Sequence, residues 1–308
     1  VKSVLGTIAP HDPALFKYSY IAVKLRKNAI FFFIPKIKTE KKLHFYTHNG
    51  KLRLIRHGGI LPARKDKNIY EMDSKKDPMG RAIADYHQGK RMGKLRVFSP
   101  MFDEDEIPVE TLFRKYEEMP EIERKALDMT RGKTLDVGAG SGCHTLALQQ
   151  RGVEVTAIDI SPLSVETMKA RGVKEVKEQD FFTLKGKYDT ILMLMNGIGI
   201  VGTLDRLPDF FRHLDNILAP GGQLLCDSSD ISYVFEDEEG FIEYPEDSAY
   251  YGELSFRMQY KETVGEPFEW LYIDADTLRQ KAEENGYSVE VVAEGEHYDY
   301  LARITKAL

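Results

Sequence analysis

The chain has 308 residues, 42% of them hydrophobic and 30% charged, which is enough for one large domain with additions, or for two, and ordinary for a globular protein. No apolar run approaches the length a bilayer crossing needs, and two cysteines, Cys143 and Cys226, are too few for a disulfide framework or a cysteine-rich zinc site. The expectation is a cytoplasmic protein in a reducing compartment, without a membrane partner or a resident metal. The formal net charge is −6, but residues 1–70 hold 15 of the 43 basic residues and 3 of the 49 acidic ones, so a basic N-terminal segment precedes a strongly acidic remainder.

Residues 1–71 read as a basic extension. Their longest apolar run, 29–34, follows Lys24, Arg26 and Lys27 but is too short for a secretory signal and meets Pro35 at once. Asn49-Gly50, between Leu43/Phe45 and Leu52/Leu54, is a hairpin signal. Residue 1 is Val, and coherent patterning opens at Met72. The extension is therefore either a basic arm or small β-module that docks nucleic acid, or a segment foreign to the native protein. The second is favoured, because a basic tract alone is a weak motif.

Residues 72–132 read as a helical lid segment. Asp77-Pro78 and the stretch 89–93 are loop punctuation. Pro108 opens a helix with Leu112, Phe113, Tyr116 and Met119 on its apolar face, and Pro120 breaks it. A second helix then runs to Arg131-Gly132. From 133 an α/β alternation begins, with a strand at 134–137, a helix at 143–151 and a strand at 153–158. Ser161-Pro162 supplies an N-cap and a first-turn proline for the next helix. A short strand leads to Asp180, and 188–195 is a continuous apolar strand, as a sheet covered on both faces requires. Leu204, Leu207, Phe211, Leu214 and Leu218 step at helical spacing up to Pro220-Gly221-Gly222, and a strand follows at 223–226. The region 233–272 reads as an insertion with extra strands at 254–260 and 268–273. A helix over 274–285 and strands at 287–292 and 300–305 complete the 133–308 domain.

The informative motif is Leu135-Asp136-Val137-Gly138-Ala139-Gly140-Ser141-Gly142. It follows a strand and opens a helix, where glycines let the backbone approach a ligand and the helix N-terminus offers unpaired N–H groups. A dinucleotide G-x-G-x-x-G would need glycine at 143, which is Cys143. Asp159 ends the next strand, where a carboxylate can accept from both ribose hydroxyls. Asp180 ends the third and is followed by Phe181-Phe182, a carboxylate and an aromatic face suited to an adenine.

These residues resemble the class I S-adenosylmethionine (SAM)-dependent methyltransferases. The resemblance spans roughly 77–308 and rests on four motifs in order: 136–142, Ile158-Asp159, Gln179-Asp180-Phe181, and Leu218-Ala219-Pro220-Gly221-Gly222. It implies an α/β fold, doubly wound, with a mostly parallel seven-stranded sheet whose last strand is antiparallel, a helical N-terminal lid and a β insertion after strand 5. It implies SAM as cofactor and S-adenosylhomocysteine as product. Gly138, Ala139, Gly140 and Gly142 would form the methionyl loop with Asp136 beside them. Asp159 and Ile160 would hold the ribose side, and Asp180 and Phe181 the adenine.

Methyl transfer from an activated sulfonium chiefly needs proximity and alignment, and a general base only where the acceptor must lose a proton. Asn196, in Asn196-Gly197-Ile198-Gly199, is a candidate to line the methyl pocket; a turn serving only backbone geometry is the alternative. Tyr86 and His87 are candidates for contact with cofactor or acceptor. His144 is either a cofactor ligand or a helix cap. Arg114 is either a partner of the methionyl carboxylate or a solvated surface group. Tyr244, Tyr250 and Tyr251 suggest a small, aromatic or cationic acceptor, with packing tyrosines as the alternative, and His297 reads as a surface histidine. The expected activity is methylation of a small molecule. The acidic core argues against nucleic acid as acceptor, because such affinity depends on neutralising phosphates. A nucleic-acid methyltransferase using the extension, a non-catalytic SAM-binding protein and a nicotinamide-dependent oxidoreductase are the rival readings; Cys143 and Asp180 weigh against the last. Neither the acceptor atom nor the oligomeric state follows from the sequence.

Overall fold

A computed structural model of the chain describes residues 46–48, 51–53, 72–235, 250–295 and 298–307. The remainder of the extension, most of the acidic stretch after Phe235, Tyr244 and His297 lie outside the described residues. Strands β1 (Tyr46–His48) and β2 (Lys51–Arg53) pair antiparallel with His48 opposite Lys51, the hairpin expected about Asn49-Gly50.

The main sheet is built from β5 (Thr134–Val137), β6 (Val155–Asp159), β7 (Val176–Glu178), β8 (Tyr188–Met193), β9 (Leu218–Ser229), β13 (Tyr287–Glu294) and β14 (Asp299–Lys306). Its order is β13-β14-β9-β8-β5-β6-β7. The pairs among β5 to β9 are parallel, while β14 runs antiparallel to both β9 and β13. This is the doubly wound sheet with one reversed strand that the sequence predicts. Alternate residues explain why β8 and β9 read as unbroken apolar runs. Ile191, Met193, Leu224 and Cys226 pack toward α5 (Leu207–Ile217) and α6 (Ala275–Glu284), while Leu192, Leu194 and Leu225 pack toward α2 (Glu121–Asp128) and α3 (Cys143–Gln150). Each strand thus buries both faces. Helix α4 (Pro162–Ala170) starts at Ser161, whose hydroxyl accepts from the Ser164 N–H at 2.9 Å, with Pro162 in the first turn. Helix α5 ends earlier than expected, at Ile217. Pro220-Gly221-Gly222 falls within β9, at a register irregularity between the pairs Tyr188–Leu218 and Thr190–Gln223.

The segment before the sheet differs most from expectation. Helix α1 (Pro78–His87) is capped by Asp77, which accepts from the Gly80 N–H at 2.7 Å. The run after Pro108 forms two 3-10 turns, Val109–Phe113 and Tyr116–Glu118, instead of one α-helix. Arg114 and Lys115 between them are extended. Two strands that the sequence pattern does not announce, β3 (Leu95–Phe98) and β4 (Asp105–Ile107), lie in this segment. They join β10 (Glu253–Tyr260), β11 (Thr263–Val264) and β12 (Phe268–Leu271) of the insertion in a second, antiparallel sheet. Arg257 to Tyr260 pair with Phe98 to Leu95, so segments about 160 residues apart in sequence share one ladder. Helix α1 packs against this sheet through Ala82, with Leu95, Val109 and Tyr260 in the same buried cluster. Among the described residues no helix is long and apolar enough to cross a membrane.

Candidate functional site

A cavity of about 320 Å³ lies between the carboxyl ends of β5, β6 and β8 and the inner face of the second sheet. The floor contributes Asp136, the loop from Gly138 to Ser141, His144, Asp159 and Asn196. The roof contributes Val97, Asp105, Phe256, Phe268, Trp270 and Tyr272. A volume of this order suits a small-molecule ligand.

The loop has its shape because its glycines stand at positive φ, +65° at Gly138 and +57° at Gly140, a region that costs a side-chain-bearing residue about 1–3 kcal/mol. A Cβ at Gly138 would meet no protein atom within 4 Å. It would project into space that the loop leaves clear. Asp159 holds the loop in place: its carboxylate accepts from the Gly140 N–H and from the Ser161 N–H, each at 2.8 Å. Burial, reinforced by the charges of Asp77 and Asp136, pushes the Asp159 carboxyl up to about 6 despite those two N–H bonds. Each oxygen keeps acceptor capacity for a further donor, so the group fits a diol.

Asp136 is buried at the end of β5 and accepts from the Thr145 hydroxyl at 2.6 Å. Burial also raises its pKa, opposed by His144. His144 stands in the first turn of α3 with its Nε2 2.8 Å from Glu123, a fully buried carboxylate on α2 that also receives Arg114 Nη2 at 2.8 Å. Burial works against the imidazolium, but Cys143 and Glu123 outweigh it and hold His144 well above its ordinary range. The Glu123 carboxyl is held low: burial would raise it, and His144 and Arg114 overcome that.

At the end of β8 the backbone turns through two consecutive residues at positive φ, Met195 at +66° and Asn196 at +57°. Neither is glycine. Buried Asp227 on β9 fixes this turn by accepting from the Met195 and Gly197 N–H groups, both at 3.1 Å. Burial drives the Asp227 carboxyl up to about 7. The Asn196 side chain donates through Nδ2 to the Leu271 carbonyl at 3.3 Å, while its Oδ1 is buried without a partner. A buried, unpaired acceptor carries a desolvation penalty of about 1–3 kcal/mol, and this one belongs to a residue of the cavity wall. The left-handed turn and the orphaned oxygen coincide at Asn196.

The cavity brings together Asp136, Gly138, Ala139, Gly140, His144, Asp159 and Asn196 of the residues expected to act. Gly142 (φ +81°) caps α3 behind the loop, packed toward Met168 and Val173, and Ile160 lies outside the lining. Asp180 caps the turn after β7, accepting from the Phe182 N–H at 2.8 Å. The Gln179 N–H bonds the Asp159 carbonyl at 2.9 Å, which puts Asp180 on the same rim, beyond the lining. Phe181 is 1% exposed, its ring packed against Phe210 and His213, so it supports the rim from the core instead of offering a free face. Tyr86 and His87 end α1 away from the cavity; Tyr86 is exposed and packs on Phe113 with ring centroids 4.6 Å apart. Arg114 is turned to Glu123, and Tyr116 donates to Asp128 beneath the Arg151 guanidinium. Tyr250 and Tyr251 donate to Asp274 and Asp230, respectively, outside the lining.

The strands expected at 254–260 and 268–273 are β10 and β12 of the roof, whereas β3, β4 and Glu123 are additions that the sequence did not point to. Nothing in one sequence joins 254–260 to residues 95–98.

The family "Methyltransferase domain" matches residues 110–292 of this chain. The crystal structure of a SAM-dependent methyltransferase from Bacteroides fragilis, in complex with S-adenosyl-L-homocysteine, is 55% identical and superposes with a TM-score of 0.75 over 79% of this chain and 100% of that one. A demethylmenaquinone methyltransferase from Tropheryma whipplei is 31% identical over 114 residues, 34% of this chain and 46% of that protein. A ubiquinone biosynthesis O-methyltransferase from Xanthomonas oryzae pv. oryzae is 26% identical over 110 residues, 32% and 43% respectively. The chain spans about half the length of the curated relatives it matches.

Proposed function

The chain belongs to the SAM-dependent methyltransferases, and from that premise we propose that it binds SAM on the floor of the cavity and transfers its methyl group to a small molecule under the roof. The observation that carries this reading is the convergence of the Gly138–Gly140 backbone, Asp159 and the Asn196 turn on one side of a single small cavity. SAM would supply an activated methyl group. Asp159 accepts from the ribose hydroxyls. The clear space at Gly138 admits the methionyl chain past the backbone, and His144, held charged by Glu123, faces its carboxylate. Asp180 on the rim receives the adenine amino group. Asn196 and Asp227 shape the place where the methyl emerges. None of these residues needs to move a proton for the transfer itself; they orient the donor and keep water out, effects that can reach effective molarities of about 10⁵ M or more.

The size of the cavity and the small-molecule names of the relatives from Tropheryma whipplei and Xanthomonas oryzae support a small acceptor. The test is incubation of the purified chain with methyl-labelled SAM and a cell extract, followed by separation of products by size. The expected result is label in molecules below about 1 kDa, the range of ligands that pockets of this order enclose. Label confined to protein or nucleic acid would contradict the small-molecule reading, and no SAM consumption with any fraction would contradict turnover.

A further inference from the structure

The roof differs from the floor in a way that bears on the acceptor. Its inner face is a set of cross-strand partners: Phe256 stands opposite Phe268, Met258 opposite Val97, and Val97 opposite Asp105. All of them line the cavity. Phe256, Phe268, Trp270 and Tyr272 form a continuous array with ring centroids 6.1–6.4 Å apart. Asp105 thus occupies, in an otherwise apolar row, a position where strand alternation calls for an apolar side chain. Its carboxylate accepts from the Glu106 N–H at 2.7 Å, and among the described residues no cation pairs with it. A half-buried carboxylate without a counter-charge is costly unless a ligand supplies one. The cavity as a whole has the same bias. Asp105, Asp136 and Asp159 line it, and among the described lining residues the basic side chain is His144, which is paired with Glu123.

Resting on the function proposed above, we propose that the methyl acceptor is an amine carried on a flat apolar body, with its nitrogen at Asp105 and its body against the four rings of the roof. Two features serve this one chemistry. The ring faces attract a cation. The Asp105 carboxylate supplies its counter-charge. An acidic acceptor, a carboxylate or a phosphate, would meet the Asp105 carboxylate on the roof, while the basic side chain of the lining, His144, is engaged by Glu123 on the donor's side of the cavity. In the transfer, the bound ammonium first gives one proton to the Asp105 carboxylate, and the lone pair of the resulting neutral amine attacks the methyl carbon. The N–C bond forms as the C–S bond breaks, sulfur keeps the bonding pair as a neutral thioether, and the positive charge passes to nitrogen. The product leaves as the methylated ammonium, and Asp105 returns its proton to water. Burial, with the Glu106 charge adding to it, raises the Asp105 pKa and suits it to hold that proton.

The test uses three probes that share one ring: 2-phenylethylamine, 2-phenylethanol and phenylacetate. Each is titrated calorimetrically into the full chain saturated with S-adenosylhomocysteine. The amine is expected to bind about tenfold more tightly than the alcohol, the ratio that about 1.4 kcal/mol of cation recognition gives, with phenylacetate weakest. Asp105→Asn keeps the volume of the side chain and is expected to reduce the amine-to-alcohol ratio below about threefold while S-adenosylhomocysteine binds as before. The same ratio should appear in the rates of SAM consumption. Equal or tighter binding of the alcohol or of phenylacetate, an undiminished amine preference in Asp105→Asn, or no measurable binding of the amine would each overturn the proposal. A chain that fails to bind S-adenosylhomocysteine counts instead against the cofactor reading, and the amine preference is then measured on the protein alone.

Discussion

The floor and the roof of the cavity are made by different rules. The floor is the carboxyl edge of a parallel sheet, where each strand ends in a short motif and the motifs follow one another in sequence. The roof is an antiparallel sheet assembled from residues 95–107 and 253–271, with the parallel strands β5 to β9 between them in sequence. The floor spends its polar groups on its own backbone, as in the Asp159–Gly140 and Asp227–Gly197 bonds. The roof presents aromatic faces and an uncompensated carboxylate. The lesson is that the site for the activated donor is written in contiguous segments, whereas acceptor choice is written in contacts between distant ones.

This contrast can be attacked from the floor. The largest effect is expected at Glu123, which anchors two cationic side chains beneath the loop. Glu123→Ala leaves His144 and Arg114 without their counter-charge, and breaking a buried pair in this way costs about 3–5 kcal/mol. Urea denaturation should show that loss, and a change under about 1 kcal/mol would mean that the network does not support the floor. Gly138→Val should act on binding instead. It forces a β-branched residue into left-handed backbone and fills the open side of the loop, so S-adenosylhomocysteine affinity should fall about 100-fold, equivalent to about 2.7 kcal/mol. A folded variant with near-normal affinity would remove the loop from the donor site.

Asp227 offers a pH-dependent test. Its carboxyl is raised in the folded chain from an ordinary 3.8 to about 7. A raised carboxyl favours the folded state fully below pH about 4, and that contribution is lost as pH rises through about 7. Asp227→Asn cannot titrate. The stability of the wild type relative to this variant should therefore decline between pH 4 and pH 7, as read by paired denaturation curves. A difference that stays flat or grows with pH would refute the assignment. The smallest effect is expected at Tyr86, which lies outside the cavity: Tyr86→Phe should change SAM turnover less than about twofold, within the ±0.5 kcal/mol usual for surface substitutions. A tenfold loss would bring the end of α1 into the reaction.

Much of the floor was legible because its determinants are local. The 136–142 loop, Asp159 and the Ser161-Pro162 cap are each defined within a few residues, and strand ends in a parallel sheet converge by topology. Asn196 could be located but not understood from sequence alone. Its left-handed turn depends on Asp227, which is on a different strand, and its unpaired oxygen is visible only in three dimensions. The helix expected after Pro108 shows a conflict between pattern and context. Leu112, Phe113, Tyr116 and Met119 have helical spacing, yet Arg114 is drawn out to Glu123 and Tyr116 to Asp128, and the chain breaks into two short turns. Tyr86, His87 and Arg114 have chemistry suited to a site, but Tyr86 packs on Phe113, Arg114 pairs with Glu123, and His87 is exposed at the end of α1 outside the lining. The insertion strands of the roof were legible from their alternation, but β3 and β4 were not, because they are three or four residues long and depend on β10 for their ladder.

The central claim is that the floor binds SAM through the carboxylate of Asp159, and calorimetric titration with S-adenosylhomocysteine tests it most directly, comparing wild type with Asp159→Asn at pH 8, where a group raised to about 6 is ionised. The account predicts saturable binding to the wild type and an affinity about ten- to a hundredfold lower in the variant, with both proteins folded, since one charge-assisted acceptor for the ribose hydroxyls is lost at about 1.5–3 kcal/mol. Equal affinity in the two proteins, or no binding to the wild type, would contradict it.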